Sequence, residues 1–432
     1  MRTMTGQPAA AGSEDQRGAP RAGATPGRPL LPGQPGRPDV FTFGETMVAL
    51  RGSGPLKLGG TMNVSIAGAE SNVAIGLARL GHDVRWAGAV GEDEAGQLVL
   101  RTLRAEGVGV SGASTDPGAP TGLLLFEPRL PEVTRVHYYR AGSAGSRIGA
   151  DVIQRAFSAA PPRVLHLTGI TPSLSPTARA AAGLVLQLSR ESGSLVCLDV
   201  NFRARLWTAE AAAEVLREWI PFVDVLIASD DELPLCLPGS GDGGGEGSPG
   251  GGEGSQGAKG TTGANEGLRA EGAGAGMGAE GADGGLARWA SEPAEATAAG
   301  GAGACGDAVP LPPQEVAGDP AATVAAQARL LLDHGVAEVV VKLGAEGATA
   351  FTHGGSLHQP AKPVRAVDAV GAGDAFVAGY LSALLDGEGP AGRLERAVTT
   401  GAFAVASPGD WEGAPTRAEL GMLGAPPGTV VR

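Results

Sequence analysis

Apolar, β-branched runs recur along the chain at residues 39–50 (DVFTFGETMVAL), 83–90 (DVRWAGAV), 164–170 (VLHLTGI), 195–201 (LVCLDVN), 223–229 (VDVLIAS) and 337–344 (AEVVVKLG). Between them lie stretches whose apolar residues return every three or four positions: 70–81 (ESNVAIGLARLG), 95–107 (AGQLVLRTLRAEG), 176–193 (PTARAAAGLVLQLSRESG) and 208–220 (TAEAAAEVLREWI). Continuous apolar strands alternating with amphipathic helices predict an α/β fold, a parallel sheet covered on both faces. Ligands of such sheets collect beyond the carboxyl ends of the strands. Two stretches depart from the alternation. Residues 45–68 and 121–142 read as strand pairs with turns and no intervening helix, and predict a small projecting β-sheet. Such a sheet above the strand ends would serve as a lid that excludes water.

The pattern also stops in two places. Residues 1–38 are rich in Pro, Gly, Ala and Arg without periodicity, and are expected to form a disordered leader. Residues 238–318 open as GSGDGGGEGSPGGGEGSQGAKG after Pro238 and stay rich in Gly, Ala and Glu. That tract cannot bury enough apolar surface to offset its ordering entropy. It falls between two periodic regions, so it is expected to be a disordered insertion within one domain spanning 39–425. Closure entropy grows only logarithmically with length, which makes such an insertion tolerable. Its low aromatic and apolar content favours an inert segment over a partner-binding arm. The 72 glycines, more than one globular domain needs, are accounted for in the same way.

A formal charge of −13 argues against nucleic-acid binding and against a peripheral membrane protein, both of which use basic surfaces. No apolar run reaches the roughly 18 residues of a membrane helix, and the N-terminal twenty residues lack an apolar signal core. Three widely spaced cysteines without a CxxC pair fit a reducing cytoplasm better than a disulfide framework or a zinc site.

The chemistry concentrates at VDAVGAGDAFVAGY, residues 367–380. A dinucleotide-type GxGxxG fails because Phe376 occupies the third glycine position, and a Walker loop fails because the chain holds no Gly-Lys pair. What remains is a Gly371-Ala372-Gly373-Asp374 turn entering a helix on which Phe376, Val377, Tyr380, Leu381, Leu384 and Leu385 keep helical spacing. Glycines at a helix N-terminus let a ligand approach free backbone N–H groups, and the helix dipole favours an anion there. Asp374 then has two readings: a first-turn capping carboxylate, or a general base beside an anion hole for a migrating phosphoryl group. The loop alone leaves both open.

Asp368 to Asp374 resembles the D-x-x-G-A-G-D signature of the PfkB (ribokinase-like) carbohydrate kinases. Residues 67–96, AGAESNVAIGLARLGHDVRWAGAVGEDEAG, resemble that family's other signature through Gly68, Asn72, Ala74, Leu77, Leu80, Gly81, Gly91, Asp93 and Gly96. The resemblance covers about residues 39–425 apart from the insertion. It implies a ribokinase-like three-layer α/β/α domain with a mostly parallel central sheet and a small β-sheet lid. Within the family, VHYYRAGSAGS (136–146), LHLTGITPSLSP (165–176), LDVNFRARLW (198–207) and ASPGDWEGAP (406–415) resemble 2-keto-3-deoxygluconate kinases most.

The resemblance implies ATP-dependent phosphorylation of a sugar acid, with Asp374 as base and Gly371, Ala372 and Gly373 as the anion hole. Sugar contacts are expected from Gly68, Ala69, Glu70, Asn72, Tyr138, Tyr139, Arg140, Arg203, Asp368 and Asp410. A substrate carboxylate would explain the two arginines, since guanidinium binds carboxylate with two prongs. Taken singly, the two tyrosines also read as strand aromatics, Arg203 as a surface cation and Asp410 as a turn residue. ATP is expected along Asn201, Lys342, Gly344, Gly347, Gly371, Gly373, Thr400 and Gly401, although KLGAEG (342–347) also reads as an ordinary hairpin turn. Magnesium is implied, because it bridges phosphate oxygens, with Glu232 of SDDE (229–232) acting through water. A helix start capped by Ser229 is the plainer reading of that segment. The family also admits a monovalent cation and homo-oligomers. Leu124, Ala369 and Ala67 depart from common family residues, and Ser229 replaces the usual asparagine, as the resemblance to 2-keto-3-deoxygluconate kinases allows. A fructokinase- or ribokinase-type specificity and a catalytically silent sugar-binding protein stand as the alternatives.

Overall fold

The computed structural model describes residues 28–130, 133–239, 320–425 and Thr429. In chain order the strands are β1 (Val40–Phe43), β2 (Met47–Gly52), β3 (Met62–Ala67), β4 (Val84–Gly91), β5 (Gly109–Asp116), β6 (Leu123–Leu130), β7 (Val133–Tyr139), β8 (Val164–Thr168), β9 (Leu195–Asp199), β10 (Val225–Ser229), β11 (Glu338–Lys342), β12 (Ala348–Thr352) and β13 (Gly355–Gln359). The α-helices are α1 (Ala69–Arg79), α2 (Glu94–Ala105), α3 (Ala150–Ala159), α4 (Thr171–Leu174), α5 (Pro176–Ser192), α6 (Ala209–Trp219), α7 (Pro320–Asp333), α8 (Ala372–Leu385) and α9 (Pro390–Val405).

Among the described residues the main sheet has nine strands in the order β13-β12-β11-β10-β9-β8-β1-β4-β5. It is parallel from β11 to β5, and only β12 and β13 run antiparallel at one edge. The apolar runs are continuous because successive residues enter two different cores. Phe41, Phe43, Leu165, Leu167, Val196, Leu198, Leu226, Ala228, Val339 and Val341 face one core, which α3, α5, α6 and α7 cover. Val40, Val84, Trp86, Val164, Leu195, Cys197, Val225, Ile227 and Val340 face the other, under α1, α2, α8 and α9. This is the three-layer α/β/α arrangement, and each fully buried aliphatic side chain contributes about 1.5–3 kcal/mol of transfer free energy.

The run at 39–50 divides: β1 stays in the main sheet, and after Gly44-Glu45-Thr46 the chain leaves it as β2. β2 belongs to a second sheet of four strands, β3-β2-β6-β7, the projecting sheet expected from residues 45–68 and 121–142. Its pairs are antiparallel except β2 with β6. One face packs on the body through Met47, Ala49, Ala67, Leu124 and Phe126, against Val370.

Residues 28–38, expected to belong to a disordered leader, are held against the body of the domain. Arg28 bonds both carboxylate oxygens of Asp224 at 3.1 and 2.8 Å, and Arg163 donates to the Leu31 carbonyl at 2.7 Å. The segment from Arg28 is therefore tied to the base of the sheet. Residues 1–27 and most of the expected insertion, residues 240–319, lie outside the described residues.

Candidate active site

The site forms where the ends of β1, β8, β9, β10 and β11 meet the N-termini of α1 and α8. Gly371 is the N-cap of α8, in the left-handed region at φ 74°, and no side chain caps the helix. A Cβ at Gly371 would lie 1.7 Å from the Asp410 carbonyl oxygen, so only glycine fits there. Ala372, Gly373 and Asp374 form the first turn, with their N–H groups at the positive end of the helix dipole. Lys342, at the end of β11, brings its Nζ to 3.9 Å from where a Gly373 Cβ would stand. A cationic side chain and a helix N-terminus therefore converge on one spot, an arrangement that suits an anion.

Asp374 does not cap its own helix. Its Oδ2 accepts a 2.8 Å hydrogen bond from Asn72 Nδ2 in the first turn of α1. Burial pushes its carboxyl up to about 7; the Asn72 bond opposes this, Asp199 adds to it, and Arg203 and Lys342 counter it. The Oδ1 of Asn72 is buried without a protein partner. A carboxyl ionising near neutrality is suited to accept a proton from a hydroxyl.

Lys342 Nζ pairs with Asp199 Oδ1 at 2.8 Å, and Asn201 Nδ2 donates to Asp199 Oδ2 at 3.2 Å. Burial pulls the Lys342 ammonium down, but the Asp199 carboxylate, with Glu232 and Asp374, holds it above the usual lysine range. Asn201 adopts φ 40°, rare for a non-glycine residue, immediately after β9. Asp199 was not among the residues expected from the sequence, although it stands where a buried apolar strand meets the strand-end cleft. Gly344 and Gly347, at φ 60° and 103°, shape the turn joining β11 to β12, so KLGAEG is a hairpin turn as well as a strand-end loop.

The expected sugar contacts separate into groups. Gly68 caps α1, where a Cβ would come within 2.5 Å of the Glu45 carbonyl oxygen, and Ala69 opens the helix. Glu70 turns inward: Thr168 and Thr171 donate to its Oε1 at 2.6 and 2.7 Å, and burial raises its pKa. It braces α1 against β8 rather than facing the cleft. Tyr138 pairs with buried Leu124 and shares its sheet face, whereas Tyr139 pairs with Leu123 and points to the opposite face. Tyr139 is 62% exposed there and does not line the same surface as Tyr138.

Arg140 reaches the site already paired, its Nη2 2.5 Å from Oε2 of Glu45, a carboxylate only 3% exposed that also accepts from Ser143. Arg203 differs. Its one hydrogen bond is to the Phe202 carbonyl at 3.1 Å, no carboxylate among the described residues pairs with it, and it lies close enough to Asp374 to lower that group's pKa. Asp368 and Asp410 both face Arg51 of the lid, at 3.0 and 2.6 Å. Burial pushes Asp410 up to about 6, against the pull of Arg51. Arg51 and Glu45 lay unremarked within the lid stretch; their ion pairs join residues far apart in the chain, across more than 300 positions for Arg51, and leave no local pattern.

Of the residues expected to contact ATP, Thr400 is buried in α9 and its hydroxyl donates to the carbonyls of Arg396 and Ala397, both at 3.0 Å. It also packs where a Gly379 Cβ would come within 2.1 Å of it, so it serves the contact between α8 and α9. Gly401 lies beside the Ala372 carbonyl at the start of α8. Glu232 accepts N–H bonds from Phe202 at 2.8 Å and Ser229 at 2.9 Å, clamping the loops after β9 and β10 together.

A family model described as "pfkB family carbohydrate kinase" matches residues 37–240 and 313–417, together well over half the chain. The chain belongs to this family. This PfkB-family protein is accordingly an ATP-dependent carbohydrate kinase. It is 30% identical to a 2-dehydro-3-deoxygluconokinase of Thermoproteus tenax over 89% of this chain and 93% of that protein. It is likewise 30% identical to a 2-dehydro-3-deoxygluconokinase of Bacillus subtilis (strain 168), over 88% and 94%. The crystal structure of a PfkB protein from Polaromonas sp. JS666 superposes with TM-score 0.63 and 29% identity, covering 89% of this kinase and 99% of that chain. Among the described residues, no helix of the kinase is long and apolar enough to cross a membrane.

Proposed function

We propose that this kinase phosphorylates the terminal hydroxyl of a sugar acid, 2-keto-3-deoxy-D-gluconate (2-dehydro-3-deoxygluconate), giving its 6-phosphate and ADP. The observation that carries this reading is Arg203, a guanidinium with no carboxylate partner among the described residues and close enough to Asp374 to lower its pKa. A substrate carboxylate at one end and a hydroxyl at the other would engage both groups. The two gluconokinase relatives support the same substrate.

In this reading Asp374 accepts the proton of the attacking hydroxyl. The oxygen forms its bond to the γ-phosphorus as the bond from phosphorus to the β–γ bridging oxygen breaks, and ADP leaves. The first-turn amides of α8 and the Lys342 ammonium hold the phosphoryl charge, while Tyr138 and the lid exclude water. Positioning and electrostatics supply most of the rate in such transfers. Among the described residues no cluster of three or more metal-ligating side chains is preassembled. Glu232 would hold magnesium through water, and the ion would supply neutralisation of phosphate charge.

The Arg140–Glu45 pair favours a second reading. An arginine already neutralised by a buried carboxylate offers less to a sugar acid, which leaves room for a neutral ketose. ADP release measured with ATP, magnesium and a panel of sugars and sugar acids tests both. Turnover with 2-keto-3-deoxygluconate well above fructose and ribose is expected; turnover with fructose and none with the acid would reverse the ranking.

A further inference from the structure

Arg51 stands on lid strand β2 and reaches out of the lid. Its Nη1 lies 3.0 Å from Asp368 Oδ2 and its Nη2 2.6 Å from Asp410 Oδ2. The guanidinium also stacks 4.0 Å above the Phe126 ring of neighbouring strand β6, which fixes the plane of the fork. Both acids belong to the segments that shape the α8 N-terminus. Asp368 accepts N–H bonds from Val370 at 3.1 Å and Gly409 at 3.3 Å, so its carboxylate joins the glycine loop to the 406–415 loop. The Asp410 carbonyl is the atom against which Gly371 packs with no room for a side chain. Two further bonds join β3 to the same loop, Trp411 Nε1 to the Ile66 carbonyl at 3.1 Å and Ser65 Oγ to Glu412 Oε1 at 2.5 Å. Of these links from the lid strands, the Arg51 fork alone touches both the glycine loop and the 406–415 loop.

We propose that Arg51 is a positioning residue that couples the seating of lid strand β2 to the geometry of the Gly371–Gly373 turn, by clamping Asp368 and Asp410 together behind it. A closed lid would then be the condition under which the helix N-terminus is shaped to receive phosphate. Charge-assisted, two-pronged bonds suit this task, because they fix orientation as well as distance. A lysine has no fork and could satisfy only one of the two acids at a time.

The catalytic consequence rests on reading residues 371–374 as the phosphoryl site, so the test has one arm independent of it. In the ligand-free protein, Arg51→Gln is expected to speed amide hydrogen exchange about tenfold or more across residues 368–373 and 47–52, with β8 and β9 unchanged. Unchanged exchange at 368–373 would overturn the coupling whatever the enzyme's substrate proves to be. In the kinetic arm, Arg51→Gln is expected to lower kcat by about tenfold or more, since small misplacements of a reacting group are costly. The KM for ATP should change much less, and Arg51→Lys should fall between Arg51→Gln and wild type. A kcat within twofold of wild type would also overturn the proposal. If Arg51→Gln does not fold, Arg51→Lys and Asp368→Asn decide by the same exchange pattern. Failure of the wild-type protein to release ADP with any sugar would remove the phosphoryl reading, and the exchange arm would still stand.

Discussion

Asn72 and Asp374, 302 positions apart in the chain, meet across a 2.8 Å hydrogen bond that joins the N-terminus of α1 to that of α8. The bond holds the carboxylate by one oxygen and favours its ionised form. Removing Asp374 itself should therefore separate chemistry from binding. Asp374→Asn keeps the size and a bond to Asn72 but cannot take a proton, and turnover is expected to fall by about 10²–10⁴. Nucleotide affinity measured by calorimetry should change little; near-normal turnover would exclude Asp374 as the base.

The pH dependence follows from the same pair. A base must be ionised to act, and Asp374 titrates at about 7, so kcat should rise as pH climbs from 6 to 8. Asn72→Ala removes the bond that opposes the effect of burial, so the rising limb should move to higher pH. A hydrogen bond to a charged group contributes about 1.5–3 kcal/mol, which corresponds to a displacement of about 1–2 pH units. A limb that stays in place in Asn72→Ala would show that another group governs the profile.

Parts of this site were legible before the structure, and the reason is local. The glycine turn at 371–373, the strand-end position of Lys342 and the strand pairs of the lid each follow from residues within a few positions of one another. Strand β5, whose sequence GVSGASTD is half exposed and made of small residues, carries no comparable apolar run. Strands β12 and β13 lie at the far edge, and every residue of β13 is at least partly exposed. The polar partnerships were illegible for another reason. Glu70 has the sequence context of an exposed helix start, and only the fold shows Thr168 and Thr171 beside it. Asp368 and Asp410, expected as sugar contacts, are also joined by Arg51, and nothing near either acid in the sequence signals that pairing.

The Lys342–Asp199 pair predicts a separation of stability from catalysis. Asp199 is fully buried, and its other side-chain bond comes from neutral Asn201. Lys342→Met should therefore leave an uncompensated buried carboxylate and destabilise the fold by about 3–5 kcal/mol. The double variant Lys342→Met with Asp199→Asn removes that charge and should recover much of the stability in urea denaturation. Phosphoryl transfer should remain lost in both, because the ammonium beside Gly373 is gone. Recovery of activity together with stability would show that Lys342 is only structural.

Gly371 offers a test at a single position. Its φ of 74° disfavours any side chain, and the Asp410 carbonyl occupies the space a methyl group would need. Gly371→Ala must push the 406–415 loop away, with loss of activity of at least about 100-fold if the anion hole moves by an ångström. Gly183→Ala is the control: a Cβ there meets nothing within 4 Å, the glycine is in the interior of α5, and alanine should stabilise by roughly 0.5–1 kcal/mol. Equal activity of the two variants would contradict the placement of the hole.

The two arginines should respond differently to removal. Arg203→Ala deletes a guanidinium that no carboxylate among the described residues neutralises, so KM for a sugar acid should rise by about 10–100-fold, the equivalent of one lost charge-assisted bond. Folding should be unaffected, because the side chain is exposed. Arg140→Ala instead strands Glu45, whose carboxylate is buried, and should lower stability as well as affinity. Adding Glu45→Gln to Arg140→Ala removes the stranded charge and should restore much of the thermal stability. The sugar-acid KM of that double variant then measures what Arg140 contributes to binding. A value near wild type would assign the substrate carboxylate to Arg203 alone, whereas a tenfold or larger rise would place both arginines on it.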